Sequence, residues 1–153
     1  MRITLFAVIF LALNVGQAFG QSRFSKHEIG VNAFRNPSIG AEYRFRTVSV
    51  HAGYYPTNFE SNVTTEFIRA GLSYWFLPVG KRENPSSFYA SASYARGLTR
   101  DYKDKNAFMP EVGFRWMVYK GLNVRLGIAG LAAEGETFKV NPTPGIGYAF
   151  FFN

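Results

Sequence analysis

PGIGYAFFFN, the stretch from Pro144 to Asn153, alternates bulky and small side chains along its length. Successive side chains of a β-strand point to opposite faces, so this stretch predicts a strand with an aromatic face and a mostly small face. The bulky face carries Pro144, Ile146, Tyr148, Phe150 and Phe152, and the other face carries Gly145, Gly147, Ala149 and Phe151. An apolar edge strand invites aggregation, so we expect this strand to pair with the first strand and close the sheet.

Seven segments upstream show the same alternation between a bulky apolar face and a face of small residues. Together with the last stretch they predict eight strands, at residues 27–34, 38–45, 48–55, 65–76, 88–98, 108–118, 123–132 and 144–153. Residues 56–64, 77–87, 99–107 and 133–141 are predicted to be loops. An even strand count and spans of about 9–11 residues are what a bacterial outer-membrane barrel requires. The sequence therefore predicts an all-β fold, an eight-stranded antiparallel up-and-down transmembrane β-barrel.

The first 20 residues predict a secretory signal peptide. Arg2 precedes an apolar run at residues 3–13, and the segment ends in Ala18-Phe19-Gly20. The run is too short to span about 30 Å of hydrocarbon comfortably, which favours a cleaved signal over a retained anchor. Cleavage before Gln21 would lower the net charge from +7 to +6. The predicted organisation is a signal peptide at 1–20 and one outer-membrane barrel domain at 21–153.

The composition excludes several kinds of site. The chain has no cysteine, which excludes disulfides, thiolate metal sites and a lipoprotein anchor. It has only two histidines, His27 and His51, so we expect no metal site and no cofactor. The net charge of +7 does not indicate nucleic-acid binding, because the arginines are spread over strands and loops without a basic stripe.

Charged residues on the predicted strands decide which face is inside. Six of them fall mid-strand on the small-residue face: Glu42, Arg44, Arg69, Glu111, Arg115 and Arg125. In a soluble lipocalin-like barrel the large aromatics would have to crowd a narrow lumen. An eight-stranded barrel is just wide enough to be filled by its own side chains, so we expect the bulky residues to face lipid and the charges to face the lumen. The aromatics expected at the membrane interfaces include Tyr43, Tyr74, Trp116, Tyr148 and Phe152.

The six interior charges allow two interpretations. They could line a gated ion path or form a salt-bridge network that fills the lumen, and the network is favoured because buried charges need partners. Four arginines against two carboxylates would leave surplus positive charge. Ser49 and His51 share the inward face, as a lipid A hydrolase would require, but residues two apart on a strand are separated by about 6.5–7 Å and are loosely placed for catalysis.

With these patterns the chain resembles the small eight-stranded outer-membrane barrels, the OmpX-like and OmpA-transmembrane-like proteins. The resemblance covers residues 21–153 and is one of pattern rather than of a sharp motif. It implies residence in the outer membrane of a Gram-negative bacterium, after export through the inner membrane. It also implies assembly by barrel-insertion machinery that reads the C-terminal strand, Pro144 to Phe152, although the aromatic residue here is penultimate.

Members of that group vary from structural proteins to adhesins, and a few are lipid A enzymes. We therefore expect a non-enzymatic structural or interaction role, with a polar interior filled by side chains. The alternatives are a narrow, porin-like channel for solutes or ions and an accessory subunit of a larger outer-membrane complex. Expected partners are proteins at the outer loops, outer-membrane lipids and lipopolysaccharide. The cations expected to contact lipid are Arg100, Lys103, Lys105 and Lys139 in the outer loops, with Lys81 and Arg82 at the periplasmic rim.

Overall fold

The structure is a computed structural model that describes residues 24–33, 39–60 and 63–152. The predicted signal peptide at 1–20 lies outside the described residues, and so do residues 34–38. The strands are β1 (His27–Ala33), β2 (Ile39–Phe45), β3 (Val48–Glu60), β4 (Val63–Val79), β5 (Ser86–Gly97), β6 (Asn106–Tyr119), β7 (Leu122–Ala133), β8 (Lys139–Pro142) and β9 (Gly145–Phe152). A short 3-10 turn, Arg100–Tyr102, lies in the connection between β5 and β6.

The sheet closes on itself through its first and last strands. Each strand from β1 to β7 is antiparallel to the next, and β1 also pairs with β9 along its whole length, from His27↔Phe152 to Ala33↔Ile146. β7 pairs with β6 on one side and with both β8 and β9 on the other. β8 and β9 are therefore two halves of one wall segment. The predicted eight-stranded antiparallel barrel is confirmed.

The eighth wall segment is interrupted at Thr143 and Pro144, between β8 and β9. Pro142 and Pro144 lack the N–H group that a continuous ladder needs. The N–H of Thr143 bridges the break by donating to the carbonyl of Gly127 on β7, at 2.8 Å. The prediction of a loop over 133–141 was wrong at its end, because β8 already pairs with the last part of β7.

The barrel wall is taller on one side. β1 and β2 have seven residues each, whereas β3 has 13 and β4 has 17. The predicted loop at 56–64 was wrong, because β3 and β4 remain paired past Pro56, as at Thr57↔Thr65. Pro56 itself lies opposite Glu66 within this paired stretch. The predicted loop at 77–87 is shorter, since Val79 pairs with Ser86.

Burial alternates along the strands and sorts the side chains by polarity. On β2, Gly40, Glu42 and Arg44 are buried, and the residues between them are exposed. Exposed large hydrophobic side chains occur around the whole wall, among them Val31, Val50, Ile68, Leu72, Phe108, Val112, Leu126, Ile128 and Phe150. The barrel is therefore apolar on its outer face and carries its mid-strand charges inside.

The two ends of the barrel hold different connections. The end that we call the terminal rim holds the start of β1, the end of β9 and the β2–β3, β4–β5 and β6–β7 connections. The opposite end, the loop rim, holds the remaining connections. The β6–β7 turn is tight: Gly121 has φ of 101°, and a Cβ on it would lie 2.2 Å from the carbonyl oxygen of Ala149. Only glycine fits this approach.

Candidate functional site: the barrel interior

Glu28 on β1 is the centre of a buried ion cluster in the terminal-rim half of the lumen. Its carboxylate accepts hydrogen bonds from Arg44 on β2, with 3.1 Å between Nε and Oε2, and from Nη1 of Arg115 on β6. The three side chains are at most 2% exposed. One carboxylate is thus shared by two guanidinium groups. Arg44 is its register partner on the adjacent strand, and Arg115 reaches it across the lumen.

Glu28 is missing from the six interior charges that the sequence predicts. It shares the inward face of β1 with Gly30 and Asn32, so the strand alternation contained a signal for it. The structure places the six predicted residues on the inward face as well. The expected charge balance is therefore corrected: three carboxylates, not two, face the four arginines.

Trp75 on β4 is fully buried and lies against three guanidinium groups. The guanidinium carbons of Arg115, Arg125 and Arg44 are 4.3, 5.1 and 5.8 Å from its ring centroid. Phe24, in the lead before β1, approaches Arg44 at 4.7 Å from its own ring centroid. An aromatic face attracts a cation through its quadrupole. These rings therefore stabilise positive charge that the carboxylates do not fully balance.

A hydrogen-bonded chain connects Trp75 to the second carboxylate, Glu42. Trp75 Nε1 donates to Ser49 Oγ at 2.9 Å, and Ser49 Oγ donates to Glu42 Oε1 at 2.5 Å. The other oxygen of Glu42 accepts from Arg125 Nη2 at 2.7 Å. Ser49 is therefore a bridge within the interior network.

Glu111 on β6 is the third carboxylate and joins three other wall segments. It accepts hydrogen bonds from Arg69 Nη2 at 3.0 Å, from the hydroxyl of Tyr89 at 2.7 Å and from Thr143 Oγ1 at 3.0 Å. Thr143 lies at the break between β8 and β9. The carboxylate thus ties the interrupted wall segment to the interior.

His51 lies between two serines of other strands. Its Nε2 is 2.8 Å from Ser93 Oγ, and its Nδ1 is 3.1 Å from Ser73 Oγ. Ser49, the residue considered with it for a hydrolase, directs its hydroxyl to Glu42 instead. The structure therefore uses these two residues in separate parts of the interior network.

The loop-rim half of the lumen is filled by an apolar plug, which we define as Tyr55, Phe67, Ala95, Tyr102, Ala107, Met109, Ala129 and Leu131. Tyr102 enters from the 3-10 turn and packs edge-on against Phe67, with 5.4 Å between ring centroids. A Cβ on Gly97 would lie 1.8 Å from the carbonyl oxygen of Tyr102, so this close approach requires glycine. The expectation of a polar interior is therefore incomplete, since this half combines the apolar plug with buried polar residues such as Thr57 and Thr65.

Little free space remains between these side chains. The interior cavity lined by His51, Arg69, Glu111 and Arg125 measures about 20 Å³. That volume is close to the minimum that holds one water molecule. Together, the ion clusters and the apolar plug obstruct the lumen within the described part of the chain.

The aromatic side chains expected at the membrane interfaces all point outward. The exposed fractions are 44% for Tyr43, 62% for Trp116, 42% for Tyr148 and 51% for Phe152. Tyr74 is half-buried because it stacks on Phe76, with 6.1 Å between ring centroids. These rings belong to the outer surface and take no part in the interior network.

Several cations at the loop rim have partners within the chain. Lys105 donates to Glu136 at 2.5 Å, and this hydrogen bond raises the pKa of Lys105. Arg96 pairs with Asp104 at 3.0 Å, and Arg100 Nε donates to the carbonyl of Thr64 at 3.1 Å. Part of the positive charge of this rim is therefore already bound by carboxylate and carbonyl groups of the same rim.

These features define the class of protein: an eight-stranded antiparallel β-barrel with an apolar outer face and an interior filled by paired charges and an apolar plug. Comparison of the chain with protein-family models, with curated proteins and with solved structures found no match in any of the three. Within residues 24–33, 39–60 and 63–152, no helix is long and apolar enough to cross a membrane. The same residues contain no group of three or more His, Cys, Asp or Glu side chains that could hold a metal ion.

Proposed function

We propose that the protein is a non-enzymatic integral barrel of a Gram-negative outer membrane, with a structural or interaction role. One observation carries the proposal: large apolar side chains are exposed around the wall, while the mid-strand charges are paired inside. Apolar surface left in water costs roughly 25 cal/mol per Å². Acyl chains of a bilayer accept such a surface without that cost.

A groove on the outer face gives further support to a lipid environment. It measures about 450 Å³ and is lined mainly by apolar side chains of β4 to β8, including Phe88, Val112, Phe114, Leu126 and Ile128. A lipid chain fills a groove of this chemistry. The final strand, Gly145–Phe152, keeps the pattern of alternating hydrophobics and ends on the aromatic Phe152, which supports assembly by barrel-insertion machinery.

The filled lumen favours a closed barrel over a solute channel. The Glu28 cluster lies towards the terminal rim, and the apolar plug fills the loop-rim half. The Arg69–Glu111 pair lies level with Ala95 and Ala129 of the plug. A conducting path would have to separate buried ion pairs, and a buried charge without its partner is strongly unfavourable. Interaction with other molecules is therefore assigned to the rims and the outer surface.

The two tryptophans provide a test of the membrane placement. Trp116 is 62% exposed on the outer face, whereas Trp75 is fully buried in the lumen. We expect phospholipids with brominated acyl chains to quench the fluorescence of the native protein, because only Trp116 can meet the bromines. Trp116→Phe, which leaves Trp75 as the emitter, should show little quenching. A native protein that remains dispersed without detergent and is quenched by aqueous acrylamide at Trp116 would contradict the proposal.

Electrical recordings test the closed lumen separately. After incorporation into a planar bilayer, we expect no steady unit conductance from the native barrel, because its interior side chains pair with one another. Glu111→Gln serves as the probe variant, since Glu111 joins Arg69, Tyr89 and Thr143 inside. Reproducible openings in the native protein whose size changes in Glu111→Gln would establish a channel through the lumen instead.

A further inference from the structure

The two rims of the barrel carry different net charge. Among the described side chains, the terminal rim has five cations and one carboxylate: Lys26, Arg46, Lys81, Arg82 and Lys120 against Glu83. The loop rim has equal numbers, with Arg96, Arg100, Lys103, Lys105 and Lys139 against Glu66, Asp101, Asp104, Glu134 and Glu136. The surplus of positive charge outside the lumen is therefore concentrated at the terminal rim.

The cations of the terminal rim are exposed, and among the described residues none of them forms an ion pair. Two lie beside aromatic rings of the outer surface: the guanidinium of Arg46 is 5.4 Å from the ring centroid of Phe45, and Lys120 Nζ is 5.2 Å from that of Tyr119. The rings are 44% and 64% exposed. A cation above an apolar ring is the arrangement that suits a membrane interface.

The distribution of the five cations around the rim also indicates what kind of partner they contact. Lys26 precedes β1, Arg46 forms the β2–β3 turn, Lys81 and Arg82 lie between β4 and β5, and Lys120 lies between β6 and β7. They are thus distributed over all the chain segments of this rim rather than gathered on one side. A leaflet of lipid headgroups surrounds the barrel and meets the rim along its whole circumference.

We propose that the terminal rim is a collar that binds anionic phospholipid headgroups in the leaflet surrounding it. The inference rests on the proposed function. Outer-membrane barrels have their short turns on the periplasmic side, and the two-residue β2–β3 and β6–β7 turns lie at the terminal rim, so this rim meets the periplasmic leaflet. Basic residues next to a membrane attract anionic lipids at about 1 kcal/mol per charge, close to a fivefold preference. The loop rim has as many carboxylates as cations among its described side chains and therefore no comparable surplus, so the two leaflets interact differently with the barrel.

Spin-labelled lipids measure this preference directly. The protein is purified from membranes and incorporated into phosphatidylcholine vesicles that contain a trace of spin-labelled phosphatidylglycerol or phosphatidylcholine. At about 0.1 M salt we expect phosphatidylglycerol to associate roughly fivefold more strongly with the barrel. At about 1 M salt the preference should fall close to one, because the charges are screened.

Matched variants locate the effect. Replacing Arg46, Lys81 and Lys120 with glutamine should remove most of the preference. Replacing Arg100, Lys103 and Lys139 with glutamine removes the same charge from the loop rim and should preserve it. Equal losses in both variants, or no preference in the native protein, would overturn the proposal. Binding of polyglutamate without any lipid preference would also overturn it and would indicate an acidic protein partner.

Failure of this inference can be distinguished from failure of the proposed function. If brominated lipids quench Trp116 but the barrel shows no preference for phosphatidylglycerol, the barrel is in the membrane and the proposal of a lipid-binding collar is wrong. If Trp116 is not quenched at all, the membrane placement itself is wrong. The two measurements use different residues, since Trp116 lies on the outer wall of β6 and the collar lies in the rim connections.

Discussion

Replacing Glu28 with glutamine is expected to destabilise the barrel by about 3–5 kcal/mol, the usual cost of removing one partner from a buried ion pair. Glu28 accepts hydrogen bonds from both Arg44 and Arg115, and all three side chains are at most 2% exposed. Glutamine keeps the size of the side chain but removes its charge. Two guanidinium groups then remain buried without their shared counter-ion.

Urea unfolding of the protein in bilayers, followed by tryptophan fluorescence, measures this effect. Asp104→Asn is the matched control, because it also removes the carboxylate partner of an arginine, Arg96. That pair is exposed to solvent, with Arg96 44% and Asp104 71% exposed. Exposed pairs contribute at most about 1 kcal/mol. A Glu28→Gln variant no less stable than the Asp104→Asn variant would show that the interior cluster does not hold the barrel together.

Leu72→Arg is expected to cost roughly 2–4 kcal/mol when the barrel is in a bilayer. Leu72 lies midway along β4, is 57% exposed and points away from the lumen. A charged side chain at this depth has hydrocarbon around it and no partner. The same substitution at an exposed position of a water-soluble barrel would change stability by only about 0.5 kcal/mol in either direction.

Tyr119→Arg gives the comparison at the edge of the membrane. Tyr119 is 64% exposed and lies at the terminal rim beside the β6–β7 turn. Near the interface the cost of arginine falls to about 0–1 kcal/mol. Unfolding free energies of both variants in the same vesicles check the prediction. If Leu72→Arg cost no more than Tyr119→Arg, lipid would not surround the middle of the wall.

The alternation of side chains along each strand was sufficient to predict most of the residues that face the lumen. On β6, Glu111 and Arg115 alternate with Val112 and Phe114, and the observed burial follows that order. This works because strand geometry fixes the direction of each side chain locally, without reference to other strands. Glu28 is harder to predict from the sequence, because it is the only charged residue on the inward face of the first strand. Its partner Arg115 lies 87 residues away along the chain.

The lengths of the strands were harder to predict. The stretch at 56–64 has the polar residues and proline of a loop, yet β3 and β4 remain paired through most of it. A strand extends when its neighbour supplies hydrogen bonds, and that neighbour is chosen by the whole sheet. The apolar plug was missed for a related reason, since Tyr102 belongs to a predicted loop and enters the lumen only because Gly97 permits the approach.

The sequence by itself determined that the chain forms antiparallel strands with one apolar and one small, charged face, because those properties repeat every two residues. The tertiary structure decided which charges meet. Closure between β1 and β9 brings Arg115 to Glu28, and the break at Thr143 gives Glu111 a third donor. These contacts join residues far apart in the chain, and their distances depend on the register of every strand between them.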